Sequence, residues 1–278
     1  MRSPPGSPHG GRPLSSAPTV DPTGTQATAT EIIYEIDDYD LASFTRLAAC
    51  FSEQRFAYVV TPNVDHLLRF RDDAAFRTYY QKAGYILLDS RLAAYLLRIM
   101  KRIRLRVCTG SDLTVTLLSK VATPLDRIIL IGGSREQADQ IMDLYGLKNL
   151  RHHNPPMGFI RDPESVEACL RFIEAASPFR FCFIAVGSPQ QEALAYELES
   201  RGVARGLALC VGAALNFVTG LERRAPRWMQ HLALEWLYRL LQDPRRLAYR
   251  YLVRGPRIFW HLLRAQIVLR PADDYRSS

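Results

Sequence analysis

No stretch of eighteen consecutive apolar residues occurs in this chain of 278, so a membrane-spanning helix is not expected. Cysteine is scarce and unpatterned. Cys50, Cys108, Cys169, Cys182 and Cys210 stand in mostly apolar segments without a C-x-x-C spacing, which reads as buried, reduced thiols of a cytosolic protein and argues against a disulfide frame or zinc site. Neither G-x-G-x-x-G nor G-x-x-x-x-G-K-[ST] is present, so a standard dinucleotide fold and a P-loop find no support. His66, His152, His153 and His231 lack metal-ligand spacing, and the adjacent pair would point apart on a strand. They read as structural or surface residues, and Asp37-Asp38 and Asp72-Asp73 as solvated charge clusters. Residues 1–30 are rich in Pro, Ser, Thr and Gly and lack the apolar run of a signal peptide. They predict a disordered leader.

What is present is enough apolar sequence, 47%, to bury a full core in one large domain or one domain with an appendage. The formal net charge of +8 points to an acidic partner: nucleic acid, an anionic membrane surface or a phosphorylated substrate.

From Tyr34 onward helical and strand patterns alternate. Leu41, Phe44, Leu47, Ala48 and Phe51 recur at helical spacing, and short apolar runs at 56–60, 85–88, 127–131, 181–186 and 207–211 read as buried strands. Asp162-Pro163 and Thr109-Gly110-Ser111-Asp112 carry helix-start signals. Strands separated by helices in this way predict an α/β fold, a Rossmann-like parallel sheet covered on both faces. The strand ends marked by Thr61, Asp89, Gly132 and Gly187 should gather on one edge, where such sheets bind ligands.

The segment Ala185-Val186-Gly187-Ser188-Pro189-Gln190-Gln191-Glu192 organises the reading. An apolar strand stops at Gly187, Ser188 fits an N-cap, Pro189 the first helical position and Gln191 the third residue of a capping box. The N–H groups of that helix would then face the ligand edge. Asp89 is the sharpest single candidate, a carboxylate at a strand end placed to take a proton from a substrate hydroxyl; the alternative is that it merely caps the next helix. Thr61 and Asn63 have the same ambiguity between N-cap and first-turn residues and hydrogen-bond partners of a sugar. Gly132-Gly133-Ser134 would let a diphosphate approach the backbone.

After about residue 220 the character changes. Eleven arginines stand between Arg223 and Arg270 against Glu235 and Asp243, interleaved with Trp228, Trp236, Tyr238, Tyr249, Tyr251, Phe259 and Trp260. This composition suits basic amphipathic helices at a membrane interface, broken by Pro244 and Pro256 into about three. A solvated face or a nucleic-acid patch is the competing reading.

Four segments together resemble the WecG/TagA/CpsF glycosyltransferases, family 26, over about residues 31–268: Thr61-Pro62-Asn63-Val64-Asp65-His66; Leu88-Asp89-Ser90; Gly187-Ser188-Pro189-Gln190-Gln191-Glu192; and Val211 through Gly220 into Arg224-Ala225-Pro226-Arg227-Trp228-Met229-Gln230 and beyond. The resemblance implies inverting transfer of a sugar from a UDP-sugar to a sugar on polyprenyl pyrophosphate at the cytoplasmic membrane face, without a metal or other cofactor. It implies Asp89 as general base, and Thr61, Asn63 and Gln191 as sugar or active-site contacts; Gly132, Gly133 and Ser188 join them as candidate substrate-binding residues from their place at the strand ends. Arg224, Arg227 and Arg239 would serve the diphosphate from a membrane-binding appendage over 221–278, behind a catalytic domain over 31–220. A homo-oligomer is open; nucleic acid is not an expected partner. Where the family commonly has Asp-Gly this chain has Asp89-Ser90, so glucose or another hexose becomes a plausible donor in place of N-acetylmannosamine or its uronic acid; Asn216 stands where the family has an aspartate, a change that could equally be structural. The rival is a non-catalytic basic module for nucleic acid or anionic membrane.

Overall fold

A computed structural model describes residues 32–222, 225–248 and 256–272, without the side chains of Arg227, His231, Arg239, Arg246 and Leu247. The leader expected over 1–30 and Arg224 lie outside the described residues.

The chain enters through β1 (Ile33–Asp37) and α1 (Leu41–Cys50), whose start is fixed by a capping box between Asp40 and Ser43. There follow β2 (Phe56–Val60), α2 (Val64–Asp72), α3 (Ala74–Gln81), β3 (Tyr85–Ile86), α4 (Arg91–Lys101) and α5 (Gly110–Lys120). The second half alternates β4 (Ile128–Ile131), α6 (Arg135–Tyr145), β5 (Leu150–His153), α7 (Pro163–Glu174), β6 (Phe181–Ile184), α8 (Gln190–Arg201), β7 (Gly206–Cys210) and α9 (Ala214–Val218). Beyond come α10 (Arg227–His231), α11 (Glu235–Gln242), α12 (Pro244–Ala248), α13 (Arg257–Arg264) and β8 (Gln266–Arg270).

Six strands form one parallel sheet in the order β3-β2-β7-β6-β4-β5. Alternation of side chains sends Tyr58, Val60, Ile129, Ile131, Cys182, Ile184, Ala208 and Cys210 into one buried cluster. Ala57, Val59, Ile128, Leu130, Phe181, Phe183, Leu207 and Leu209 enter the other. Both faces are therefore dry, which is why these strands read as continuous apolar runs rather than alternating ones. The helices divide accordingly: α2, α3, α4, α7, α8 and α13 contribute to the first cluster, and α1, α5, α6 and α9 to the second.

Several expectations need correction. β1, β5 and β8 were not anticipated. β1 and β8 pair in parallel as a separate two-stranded sheet, so the helices after residue 220 are followed by a strand at Gln266–Arg270. Asp37, expected in solvent, is 7% exposed; its Oδ2 accepts from the Ile86 N–H at 2.6 Å and from Arg270 Nη2 at 2.8 Å. Burial raises its pKa even against those two partners. Asp38-Tyr39-Asp40 has Asp-x-Asp spacing, yet Asp40 caps α1 and Asp38 accepts from the Arg106 N–H. Cys50 is exposed, while Cys108, Cys169, Cys182 and Cys210 are buried, with burial pushing the Cys169 thiol up to about 11. No helix among the described residues is long and apolar enough to cross a membrane.

Candidate functional site

Parallel pairing places the carboxyl ends of all six strands on one edge. Ile86, Val60, Cys210, Ile184, Ile131 and His153 form one row across the sheet, and the candidate residues follow directly beyond it. α2 leaves β2 toward one face and α9 leaves β7 toward the other, which opens a crevice between these neighbours, the kind of switch point where ligands bind.

Asp89 lies at the β3 end of that crevice. Its backbone N–H donates to the Pro62 carbonyl at 2.9 Å, which ties it to the end of β2. The Gly110 N–H at the start of α5 donates to Asp89 Oδ2 at 3.2 Å, so the carboxylate sits against the positive end of an eleven-residue helix. Gly110 leaves room for Thr61: a Cβ there would lie 3.0 Å from Thr61 Oγ1, a tight contact that the threonine would have to relieve. Asp89 does not cap α4. Ser90 does, its Oγ accepting from the Ala93 N–H at 3.1 Å.

Thr61 is buried and donates to the Cys210 carbonyl at 3.3 Å. The N-cap of α2 is Asn63, not Thr61: Asn63 Oδ1 accepts from the Asp65 and His66 N–H groups at 3.0 and 3.4 Å. The proline at 62 separates the two roles, leaving Thr61 just past the end of β2 and Asn63 as the cap of α2.

Gln191 closes the chain of contacts from the other side. It is 2% exposed; its Oε1 accepts from the Gly212 N–H at 2.8 Å and its Nε2 donates to Glu192 Oε1 at 3.0 Å. The expected capping box is absent. α8 starts at Gln190 with Pro189 in the cap position and no side-chain cap, so Ser188 falls one residue too early and Gln191 one too early for the box. Ser188 Oγ instead accepts from Arg69 Nη1 of α2 at 3.3 Å; the Ser188–Pro189 peptide is cis. Glu192 is fully buried, and its Oε2 has no hydrogen-bond partner among the described residues. Burial pushes the neighbouring Tyr80 hydroxyl and Cys210 thiol well above their ordinary values, with Glu192 adding to both.

Asp89, Thr61 and Gln191 are thus connected through Gly110, Cys210 and Gly212. The Gly132–Gly133 turn is not part of that group. It follows β4, four strand intervals from β3 or about 19 Å. The close approach its glycines allow is to the protein itself: a Cβ on Gly132 would meet the Ala185 carbonyl at 2.8 Å, and one on Gly133 would meet Leu215 at 2.9 Å. Arg227 opens α10 and Arg239 lies in α11.

Sequence reasoning passed over Arg91. Two residues after Asp89, it donates to Gln230 Oε1 at 3.3 Å and pairs with Glu235 at 3.8 Å, so α10 and α11 are anchored beside the site. The signal available was position alone, a cation in the first turn following the candidate base.

The model for the glycosyl transferase WecG/TagA/CpsF family matches residues 31–272, from the threshold of β1 to the residues just past β8. The match takes in both halves of the crevice and the segment that closes over Arg91, and the chain belongs to that family of glycosyltransferases.

Proposed function

We propose that this glycosyltransferase moves a hexose-type sugar from a UDP-sugar, with inversion, onto a saccharide carried on polyprenyl pyrophosphate. The pathway is bacterial cell-surface polysaccharide or exopolysaccharide synthesis, at the cytoplasmic face of the inner membrane. Asp89 is the general base. It takes the proton of the acceptor hydroxyl as that oxygen bonds to the anomeric carbon, while the bond from that carbon to the diphosphate oxygen breaks and UDP leaves with the electron pair. Thr61, Asn63, Ser188 and Gln191 position the sugars. Arg224, Arg227 and Arg239, from the membrane-binding part after residue 220, stabilise the charge that develops on UDP. The Gly132–Gly133 turn enters this reading as scaffold for the donor side of the edge.

The observation that carries the reading is the placement of Asp89: a partly buried carboxylate on the N–H of Gly110, at the carboxyl edge of a parallel sheet and tied through Thr61 and Cys210 to the strand that delivers Gln191's partner Gly212. Ser90, which replaces a residue without a side chain in the family pattern, spends its hydroxyl on the Ala93 N–H. That supports a capping role for it alongside any effect on the donor.

The test is product formation from a panel of UDP-hexoses, UDP-N-acetylhexosamines and UDP-uronic acids with a polyprenyl-pyrophosphate-linked sugar as acceptor. One donor should give a longer lipid-linked saccharide, and Asp89→Asn should lower turnover at least about a hundredfold, the lower range for a positioned general base, with its melting temperature close to the parent's. Near-parental turnover of Asp89→Asn would show that the base lies elsewhere. No product from any donor, with no thermal stabilisation by UDP, would favour a non-catalytic binding module.

A further inference from the structure

Besides the segment after residue 220, basic charge is concentrated on α4 and the stretch that follows it. Between Asp89 and Asp112 there is no acidic residue, while Arg91, Arg98, Lys101, Arg102, Arg104 and Arg106 supply six cations. α4 buries Ala93, Leu96 and Leu97 in the core cluster beneath it. The residues it leaves exposed, Tyr95, Arg98 and Ile99, are spaced i, i+3, i+4, one stripe along the helix, and exposed Arg102 follows as its C-cap in the left-handed conformation. Tyr95 is 56% and Ile99 60% exposed. Two large apolar side chains thus stand more than half exposed on the outer stripe, flanked by arginines.

The neighbouring α13 repeats the arrangement. Ile258 and Leu262 enter the same core cluster as the inner face of α4, whereas Phe259, Trp260 and Leu263 are exposed, Trp260 at 70%, between Arg257 and Arg264. The two helices touch, and the Lys101 ammonium donates to the Ala265 carbonyl at the end of α13. At its other end α4 is held by Gln230 and Glu235 through Arg91, next to exposed Trp228 and Leu232 of the α10 turn. The segment after 220 therefore grips α4 at both ends, and their inner faces share one core. Each helix also carries exposed apolar side chains and arginines.

We propose that α4 is itself a membrane-docking element: Tyr95 and Ile99 enter the headgroup layer beside Phe259, Trp260 and Leu263, and Arg98 and Arg102 pair with phosphates of anionic lipid. The inference rests on the membrane reading given above and extends it from the C-terminal segment into the catalytic fold. Charge selects the occupant. An apolar stripe on helices that themselves carry cations and no acidic residue matches an interface of apolar tails under anionic headgroups, whereas a second copy would bring the same cations against themselves. Because α4 is about 16 Å long and begins two residues after Asp89, its docking would set the height of the base above the lipid surface, where a lipid-linked acceptor presents its sugar.

The experiment is co-sedimentation of the full chain with vesicles of phosphatidylcholine alone and of phosphatidylcholine with phosphatidylglycerol. The variants are Tyr95→Ser/Ile99→Ser and Arg98→Glu/Arg102→Glu on α4, and Trp260→Ser/Leu263→Ser on α13, with thermal melting as the control for folding. The unmodified chain should bind the anionic vesicles, and each α4 variant should bind at least about tenfold more weakly with melting unchanged. Absence of binding by the unmodified chain would overturn the membrane reading as a whole. Binding lost by the α13 variant and kept by both α4 variants would leave that reading standing and overturn the role of α4. A dimer in light scattering that Tyr95→Ser/Ile99→Ser dissociates would assign the stripe to a second copy and equally overturn it.

Discussion

Two helices start at neighbouring strand ends with the same sequence pattern, Ser134-Arg135-Glu136-Gln137 after β4 and Ser188-Pro189-Gln190-Gln191 after β6. They finish differently. At α6 Ser134 accepts from the Gln137 N–H at 3.3 Å and Gln137 Oε1 accepts from the Ser134 N–H at 3.0 Å, a complete capping box. The remaining amide protons of Gln137 go to Asn216 and Thr219. At α8 the cap position is taken by Pro189, no side chain caps the helix, and Ser188 and Gln191 are spent on contacts across the crevice to Arg69 and Gly212. One end is closed by its own residues and serves packing. The other is open, and its polar side chains are held by strands and helices that line the ligand edge.

The sharpest way to break this contrast is to truncate the two glutamines. Each substitution to alanine leaves buried partners unsatisfied and should cost about 1–3 kcal/mol of stability. They should part company in catalysis. Gln191→Ala is expected to lower kcat/KM by on the order of tenfold or more, a barrier change of at least about 1.4 kcal/mol, because Gly212 and Glu192 lose the group that links them beside Thr61. Gln137→Ala should leave the turnover of the folded fraction unchanged. Steady-state kinetics on both, normalised to folded protein, decide it; an equal loss in Gln137→Ala would make the α6 end part of the substrate site.

The same pair shows how far the sequence could be read. Five of the six strands of the main sheet were visible as apolar runs because both faces are buried, and Asp162, Ser134 and Thr109 stand at helix starts as their chemistry demands. β5, Leu150-Arg151-His152-His153, was hidden because it is a partly exposed edge strand with little apolar sequence. β1 and β8 were hidden because each has a partner more than 220 residues away, and no local pattern encodes such a pairing. Asp89, Thr61 and Gln191, singled out by motif and strand position, are joined through hydrogen bonds at the carboxyl edge of the sheet. The box at Ser188 failed by one residue, a distance that local rules do not resolve. The cationic stripe of α4 was legible in its spacing and was overlooked because the richer basic segment after 220 drew the charge argument.

Asn216 offers a second way to sharpen the comparison. On the closed side its Oδ1 accepts from Gln137 Nε2 at 3.2 Å and its Nδ2 donates to Glu222 Oε1 at 2.9 Å. Asn216→Asp would restore the residue common in the family but would set a carboxylate against Glu222 and remove the donor between them. The expected cost is about 1–3 kcal/mol at neutral pH. It should shrink as pH falls through the carboxylate range near 4, because the folded pair then takes up a shared proton more readily than the unfolded chain. Glu222→Gln in the same chain should remove most of the penalty at pH 7. Melting curves across pH check this, and a penalty that does not change with pH would show that charge is not its cause.

The smallest effect is the most direct comparison of the two helix ends. Ser134→Ala removes a side-chain cap that satisfies an N–H of the first turn, and caps of this kind are worth about 1 kcal/mol, or about 2–4 °C in melting temperature for a fold of this size. Ser188→Ala removes no cap. It loses one 3.3 Å contact from Arg69, whose guanidinium keeps Asp65 at 3.6 Å and the Phe76 ring at 5.4 Å, so its melting temperature should move by less than half as much. Its kinetic consequence should be the larger of the two, since Arg69 freed from Ser188 can swing within the crevice that Thr61 and Gln191 border. If instead Ser188→Ala melts as low as Ser134→Ala, the serine after Gly187 is a structural cap in solution, and the open end of α8 is as closed as that of α6.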